Sequence, residues 1–258
     1  MLSKNKIKFI QSLAHKKVRD QQQVFLVEGD KLVTEALQSG FRLKLLCATP
    51  GFLLEHSLLI GTKIEVIETD ADELKKASLL QSPQNSLAVL EMPTADFSLK
   101  QLEGKLSLAL DFIQDPGNLG TIIRLADWFG IEHLLCSENT VDCFNPKVIQ
   151  ASMGAILRVK LHYLNLPETL KEASNTNLPV YGAYLGGENI YREKLSSNGI
   201  LVMGNEGNGI STEVGQLVSR KVHIPSFGRG GSESLNVSMA TAICLSEFRR
   251  GMLEMLKH

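Results

Sequence analysis

Cysteine is scarce: four in 258 residues, with no CxxC pair among them. Cys47, Cys136, Cys143 and Cys244 offer neither a disulfide framework nor a zinc spacing, so they read as reduced, mostly buried thiols. The six histidines form no HxxxH or similar cluster, and no metal is expected. No apolar run approaches the ~18 residues needed to cross a bilayer. The first twenty residues lack the uninterrupted apolar core of a signal peptide, so the expected location is the cytoplasm. No internal repeat and no low-complexity tract is present, which excludes a solenoid or a disordered linker protein. A positive net charge is also missing. At −1 the chain has no broad basic field, and any nucleic-acid binding has to rest on how the charges are distributed.

That distribution is uneven. Residues 1–19 carry Lys4, Lys6, Lys8, Lys16, Lys17 and Arg19 and no acid. Ile7, Ile10, Leu13 and Ala14 recur at helical spacing, which predicts one amphipathic helix over 4–19. Its basic side chains, Lys4, Lys8, Lys16, Lys17 and Arg19, are candidates for phosphate contact. Strands are expected at 24–27, 43–48, 63–67 and 87–91. Helices are expected at 30–38, closed by Gly40 as a C-terminal cap, and at 70–77. This alternation describes a small α/β/α domain. Residues 92–104, with Pro93 and Gly104, form the best linker, and the boundary is set near residue 98, giving domains 1–98 and 99–258.

The second half alternates again. Strands are expected at 106–110, 132–136, 180–184, 200–203 and 221–224. Helices are expected at 117–129, from Asn145-Pro146 to 153, at 212–218 and at 235–256. Apolar strands between helices imply a parallel sheet covered on both faces, which binds ligands at the carboxyl ends of its strands. Three stretches fall at such ends: DFIQDPGNLGTIIRLADWFG at 111–130, ILVMGNEGNGIS at 200–211, and IPSFGRGGSESLNVSMATAICLSE at 224–247. In the last, glycines 228, 230 and 231 permit a tight loop, Ser234 is the expected N-cap of the closing helix, and small residues after it allow another backbone to come close.

Together the three stretches resemble the SpoU (TrmH-like) family of RNA ribose 2′-O-methyltransferases in the SPOUT superfamily. Asn118, Gly120, Arg124 and Ala126 match the first motif. Gly204, Glu206 and Gly209 match the second. Ile224, Pro225 and Ser234 to Ser238 match the third. The resemblance covers about residues 105–258, and FLVEGDKLVTEAL more loosely resembles the ribosomal-protein-like substrate-binding domain that precedes many such catalytic domains.

The resemblance implies a fold, a cofactor, partners and a set of site residues. The C-terminal domain is expected to hold a deep trefoil knot, although knots are rare in proteins generally. S-adenosylmethionine is the expected cofactor, against Met203, Gly204, Asn205, Ile224 and Leu235. Arg124 matches the catalytic arginine, as a base or as an orienting and charge-stabilising group, and Asn118, Glu206, Ser234 and Asn236 complete the catalytic set. Arg229, in a loop longer than in many relatives, joins the RNA candidates, and Gln150 stands where relatives often carry a basic residue. The expected partners are RNA, ribosomal rather than transfer RNA, and a second copy of the chain. Phe248, Met252 and Leu256 extend the closing helix's apolar stripe toward that copy. The competing reading is a non-catalytic RNA-binding protein of the same fold.

Overall fold

A computed structural model describes residues 1–94, 96–176, 178–228 and 234–255, the last four as helix backbone only. Arg229 and Leu256 lie outside the described residues, as does the side chain of Met252. The chain forms two compact units, Met1–Thr94 with Asp142–Arg158, and Ala95–Val141 with Val159–His258.

The first unit is built on a four-stranded sheet of β1 (Val24–Glu28), β2 (Leu43–Ala48), β3 (Glu65–Glu68) and β4 (Ser86–Glu91), in the order β1-β4-β2-β3. β4 runs antiparallel to both its neighbours, while β2 and β3 are parallel. Helices α1 (Lys4–Ser12), α2 (Lys16–Gln22), α3 (Asp30–Gln38), α4 (Pro50–Glu55) and α5 (Ala71–Ala77) accompany it. Ile10, Leu13, Leu26, Leu45, Leu74 and Val89 share one core cluster.

Three expectations change here. The single helix over 4–19 is two helices, because Arg19 folds back on the end of the first. Its Nη1 donates to the carbonyls of Leu13 (2.7 Å) and Ala14 (2.9 Å), and its Nη2 pairs with Asp142 at 2.5 Å. Arg19 is 1% exposed, so it is a core ion pair and leaves the list of RNA contacts. Lys4, Lys8, Lys16 and Lys17 stay exposed. Gly40 does not cap α3. Ser39, in extended backbone, ends it and donates its hydroxyl to the Ala36 carbonyl at 2.7 Å. The short helix α4, with Pro50 in its first turn, has no counterpart among the expected elements.

Asp142–Arg158 belongs to this first unit although it follows the second unit's opening strands in sequence. Its helix, α7 in chain order (Pro146–Ser152), packs on β1. Phe144 stacks on Phe25 at 4.6 Å, Gln150 Nε2 donates to the Glu28 carbonyl at 3.2 Å, and Arg158 pairs with Glu35 at 2.8 Å. Gln150 therefore has a structural partner within this unit.

The second unit is a six-stranded, all-parallel sheet. Its strands are β5 (Leu106–Leu110), β6 (His133–Ser137), β7 (Lys160–Leu164), β8 (Val180–Asn189), β9 (Gly199–Met203) and β10 (Arg220–His223), in the order β10-β8-β9-β5-β6-β7. β7 is not among the expected strands, nor is α8 (Leu166–Asn175), capped by Asn165, among the expected helices. The other helices are α6 (Pro116–Trp128), α9 (Thr212–Gly215) and α10 (Val237–Met255), with α10 packed on α6. Arg249 of α10 donates to the Phe129 and Gly130 carbonyls that follow α6 (2.7 and 3.0 Å), a cation at the negative end of a helix. Phe248 is buried against Tyr181, so it belongs to the core and not to an outward stripe.

The buried pair His133 and His162 sits between β6 and β7, with Nδ1 of the first 3.0 Å from Nε2 of the second. Burial holds both imidazoles below the usual range, that of His162 at about 4. A folded-state value below the unfolded 6.5 gives stability that is present above pH 6.5 and lost as pH falls toward 4. At about 1.4 kcal/mol per unit, urea melts are expected to show His162 costing on the order of 2 kcal/mol between pH 7 and about pH 5. His162→Gln should flatten that limb, and an unchanged pH profile would rule the pair out.

Candidate active site

Going from β5 the chain moves to β6 and β7 on one side, then returns to β8 on the other, so the strand order reverses between β5 and β9. In open parallel sheets the crevice at such a reversal, beyond the carboxyl ends, is where ligands bind. The first two motifs leave those two strands, and the third follows β10.

Each motif is held by a polar side chain spent on backbone. Beyond β5, Asp115 caps α6 by accepting the Asn118 amide at 2.7 Å, and Pro116 fills the first turn where a missing N–H costs nothing. Beyond β9, Asn205 closes its loop. Its Oδ1 accepts the amides of Gly207 and Asn208 at 2.9 and 3.0 Å, its backbone exchanges two 2.9 Å bonds with Gly209, and its Nδ2 donates to the Phe112 carbonyl at 2.8 Å. Gly209 has φ +69°, a left-handed conformation that favours glycine. A Cβ on Gly204 would overlap the backbone of Gly209 and Ile210. The buried Asp111 carboxylate accepts the Ser211 amide at 2.7 Å and fixes the loop's far end.

At α10 the cap is Asn236, not Ser234. Asn236 Oδ1 accepts the Ser238 amide at 2.9 Å and the Ser238 hydroxyl at 2.6 Å, while Ser234 is exposed just before it. The reason is tertiary. With its oxygen committed to the helix, Asn236 has its NH₂ free to donate to Asn118 Oδ1 at 2.9 Å, and the Asn118 NH₂ donates on to Glu206 Oε1 at 2.8 Å. The amides of α10, Asn236, Asn118 and the Glu206 carboxyl thus form one chain of consistent polarity, which links all three motifs. Each bond in such a chain polarises the next.

The other candidates fall as follows. Arg124 is exposed on α6, six residues and about 9 Å of helix beyond Asn118. Among the described residues it has no hydrogen bond or ion pair, and the structure does not join it to the Asn236 chain. The Met203 side chain is buried, and its carbonyl accepts the Asp111 amide at 2.9 Å. Ile224 is half-buried, and Leu235 is exposed beside Asn236.

Sequence reasoning misses one feature. Gly182 pairs with both Val202 and Lys221, but the next β10 residue, Val222, pairs with Glu188. The five residues 183–187 therefore bulge out of β8 between these two pairings, and Leu185 in the bulge is 76% exposed. The sequence does carry a signal for it: a strand predicted to stop at 184 runs on through Leu185-Gly186-Gly187. Burial, with the Asp111 charge behind it, pushes the neighbouring Tyr184 hydroxyl above its usual range.

The profile of the SpoU rRNA Methylase family matches residues 105–246, and that of the MRM3-like substrate binding domain matches residues 4–88. The chain belongs to the SpoU rRNA methylase family. It is 31% identical over 245 residues to the Bacillus subtilis 23S rRNA (guanosine(2553)-2′-O)-methyltransferase RlmP, covering 95% of this chain and 96% of that one. Among solved structures it is similar to a putative RNA methyltransferase of the TrmH family from Porphyromonas gingivalis, with 43% identity, TM-score 0.89, and coverage of 97% and 99%. It is also similar to an AdoMet-bound rRNA methyltransferase from Sinorhizobium meliloti, with 30% identity, TM-score 0.85, and coverage of 97% and 96%.

Proposed function

We propose that the chain transfers a methyl group from S-adenosylmethionine to a ribose 2′-hydroxyl of ribosomal RNA. The observation that carries this reading is the Asn236–Asn118–Glu206 chain, which a binding module has no need to build across three separate loops. When bound, S-adenosylmethionine supplies an electrophilic methyl group on a sulfonium. The residues fit such a ligand: Leu235 is exposed beside Asn236, which is bonded to Asn118, and a Cβ at Gly204 would overlap loop backbone, a mixture of apolar side chain and close-lying polar backbone that suits an adenosine. The backbone at Gly204, Ile224 and Leu235 is assigned to the cradle, with Asn205 holding the first loop rather than touching ligand. Arg124 is assigned to the ribose hydroxyl, as a charge-stabilising fork or as a proton acceptor helped by the substrate phosphate. Calorimetry with S-adenosylhomocysteine should give one site per chain. Ribose mapping should show a 2′-O-methyl group missing from ribosomal RNA of a deletion strain. No heat at high micromolar ligand, or an unaltered methylation map, would leave only the non-catalytic reading.

The basic, acid-free start of the first unit is assigned to RNA affinity, and the working division of the chain stays near residue 98. Deleting residues 1–98 would strip Asp142–Arg158 of its partners, so charge is the better variable. Changing Lys4, Lys8, Lys16 and Lys17 together to glutamine should leave cofactor affinity intact and flatten the salt dependence of RNA binding, since each phosphate contact releases counterions. Equal salt slopes would remove these lysines from the interface.

A homodimer through the second unit is supported by exposed apolar side chains on the packed pair α6 and α10, Trp128 (83%) and Met239. Light scattering returning the mass of one chain, 28.4 kDa, at low micromolar concentration would refute it. The trefoil knot is retained as a proposal, refuted by a crystal structure whose chain pulls straight from both ends. Among the described residues no helix is long and apolar enough to cross a membrane, and cytoplasmic location is the reading that fractionation would test.

A further inference from the structure

At the amino ends of β5 and β6, away from the three motif loops, the second unit encloses a cavity of about 160 Å³. Its polar wall consists of Lys105, Ser107, Glu132, His133, Ser197 and Arg249. It is far roomier than one water needs, yet below the roughly 300–1,000 Å³ of sites that take drug-sized ligands.

Ser107 is 1% exposed, and its hydroxyl has no hydrogen-bond partner among the described residues. A buried polar group left unsatisfied costs about 1–3 kcal/mol, so an occupant of the cavity is expected to meet it. The groups around it are mostly donors. The Lys105 ammonium gives one N–H to Glu132 at 2.7 Å, out of three. Arg249 is anchored at the wall by its bonds to the Phe129 and Gly130 carbonyls. His133 faces His162 through Nδ1, while its Nε2 lies 3.8 Å from Glu132 Oε2. A proton on Nε2 places an N–H toward that carboxylate and lets Nδ1 accept from His162, whereas the other tautomer would set a lone pair against a carboxylate. The cavity therefore gathers the Lys105–Glu132 pair, the Arg249 guanidinium, an imidazole N–H and an unpaired hydroxyl, a lining in which donors outnumber acceptors.

We propose that this cavity binds a small oxyanion, a phosphate or the terminal phosphate of an ester, through Lys105, Ser107, His133 and Arg249. The volume admits one phosphoryl group with a few waters, so only the end of a phosphate ester enters. Glu132 holds Lys105 in place at the cavity wall.

The test is a titration of the full-length protein with inorganic phosphate at constant ionic strength in chloride, followed by the imidazole NMR signals of His133 and His162. Saturable shifts are expected, with a Kd of about 1 mM or tighter, and sulfate should compete where chloride does not. Ser107→Ala and Lys105→Gln should each weaken binding about tenfold, the scale of one lost bond to a charged group, with the urea midpoint little changed. A 5′-phosphorylated dinucleotide that binds more tightly than phosphate, while its unphosphorylated counterpart is silent, identifies an ester as the source. Saturation by phosphate alone identifies the free ion. Shifts that never saturate, or an affinity unchanged in both variants, would overturn the site and leave it filled by water.

Discussion

Arg124→Ala is expected to lower the single-turnover methylation rate on cognate RNA by about 10²-fold or more, the scale of a lost proton-transfer or charge-stabilising group. Affinity for S-adenosylhomocysteine should be nearly unchanged. The structure sharpens the reason: Arg124 is exposed on α6 and has no hydrogen bond or ion pair among the described residues, whereas the Asn118 chain that ties the loops together does not include it. Its removal should therefore leave the loops intact. Arg124→Lys separates the two roles. Lysine keeps the charge, loses the planar fork and deprotonates more easily. Activity that returns with rising pH would favour a base, and a lysine variant as poor as alanine at every pH would favour the fork. An alanine variant with the wild-type rate would remove Arg124 from the mechanism.

Gly204→Ala should act on the other side of the reaction, raising the Kd for S-adenosylhomocysteine roughly 10–100-fold. The added methyl group would overlap the backbone of Gly209 and Ile210, and overpacking of this kind costs about 1–3 kcal/mol. The loop cannot yield cheaply, because Asn205 pins it to the Phe112 carbonyl and Asp111 to the Ser211 amide. Far-UV circular dichroism should stay unchanged, since the overlap lies beyond the end of β9. A variant that binds with wild-type affinity would show that the loop does not shape the cofactor site.

Much of the fold is legible in the sequence because it is local. β2 and β5 fall where apolar runs predict them, Asp115-Pro116 announces the start of α6, and the three motifs follow strands as expected. The illegible parts depend on partners distant in the chain. Nothing near Arg19 says that Asp142, 123 residues away, will draw it into the core. Ser234 and Asn236 are both good caps by type, and the choice is made by Asn118 from another loop. The 183–187 bulge is set by pairing with β10, which a strand read in isolation cannot show. β7 escapes a sequence pattern because its burial alternates weakly, with a single buried residue among exposed and half-buried ones.

Asp142–Arg158 makes the substrate-binding half inseparable from the catalytic half at the level of the gene. The chain passes between the two units three times, not once. Residues 1–98 expressed alone would leave Arg19 in a core without Asp142, and a buried charge deprived of its partner costs about 3–5 kcal/mol. They would also leave Phe25 and Glu35 without Phe144 and Arg158. The first unit therefore has to be moved as two cassettes, residues 1–94 and the stretch from Asp142 to Arg158.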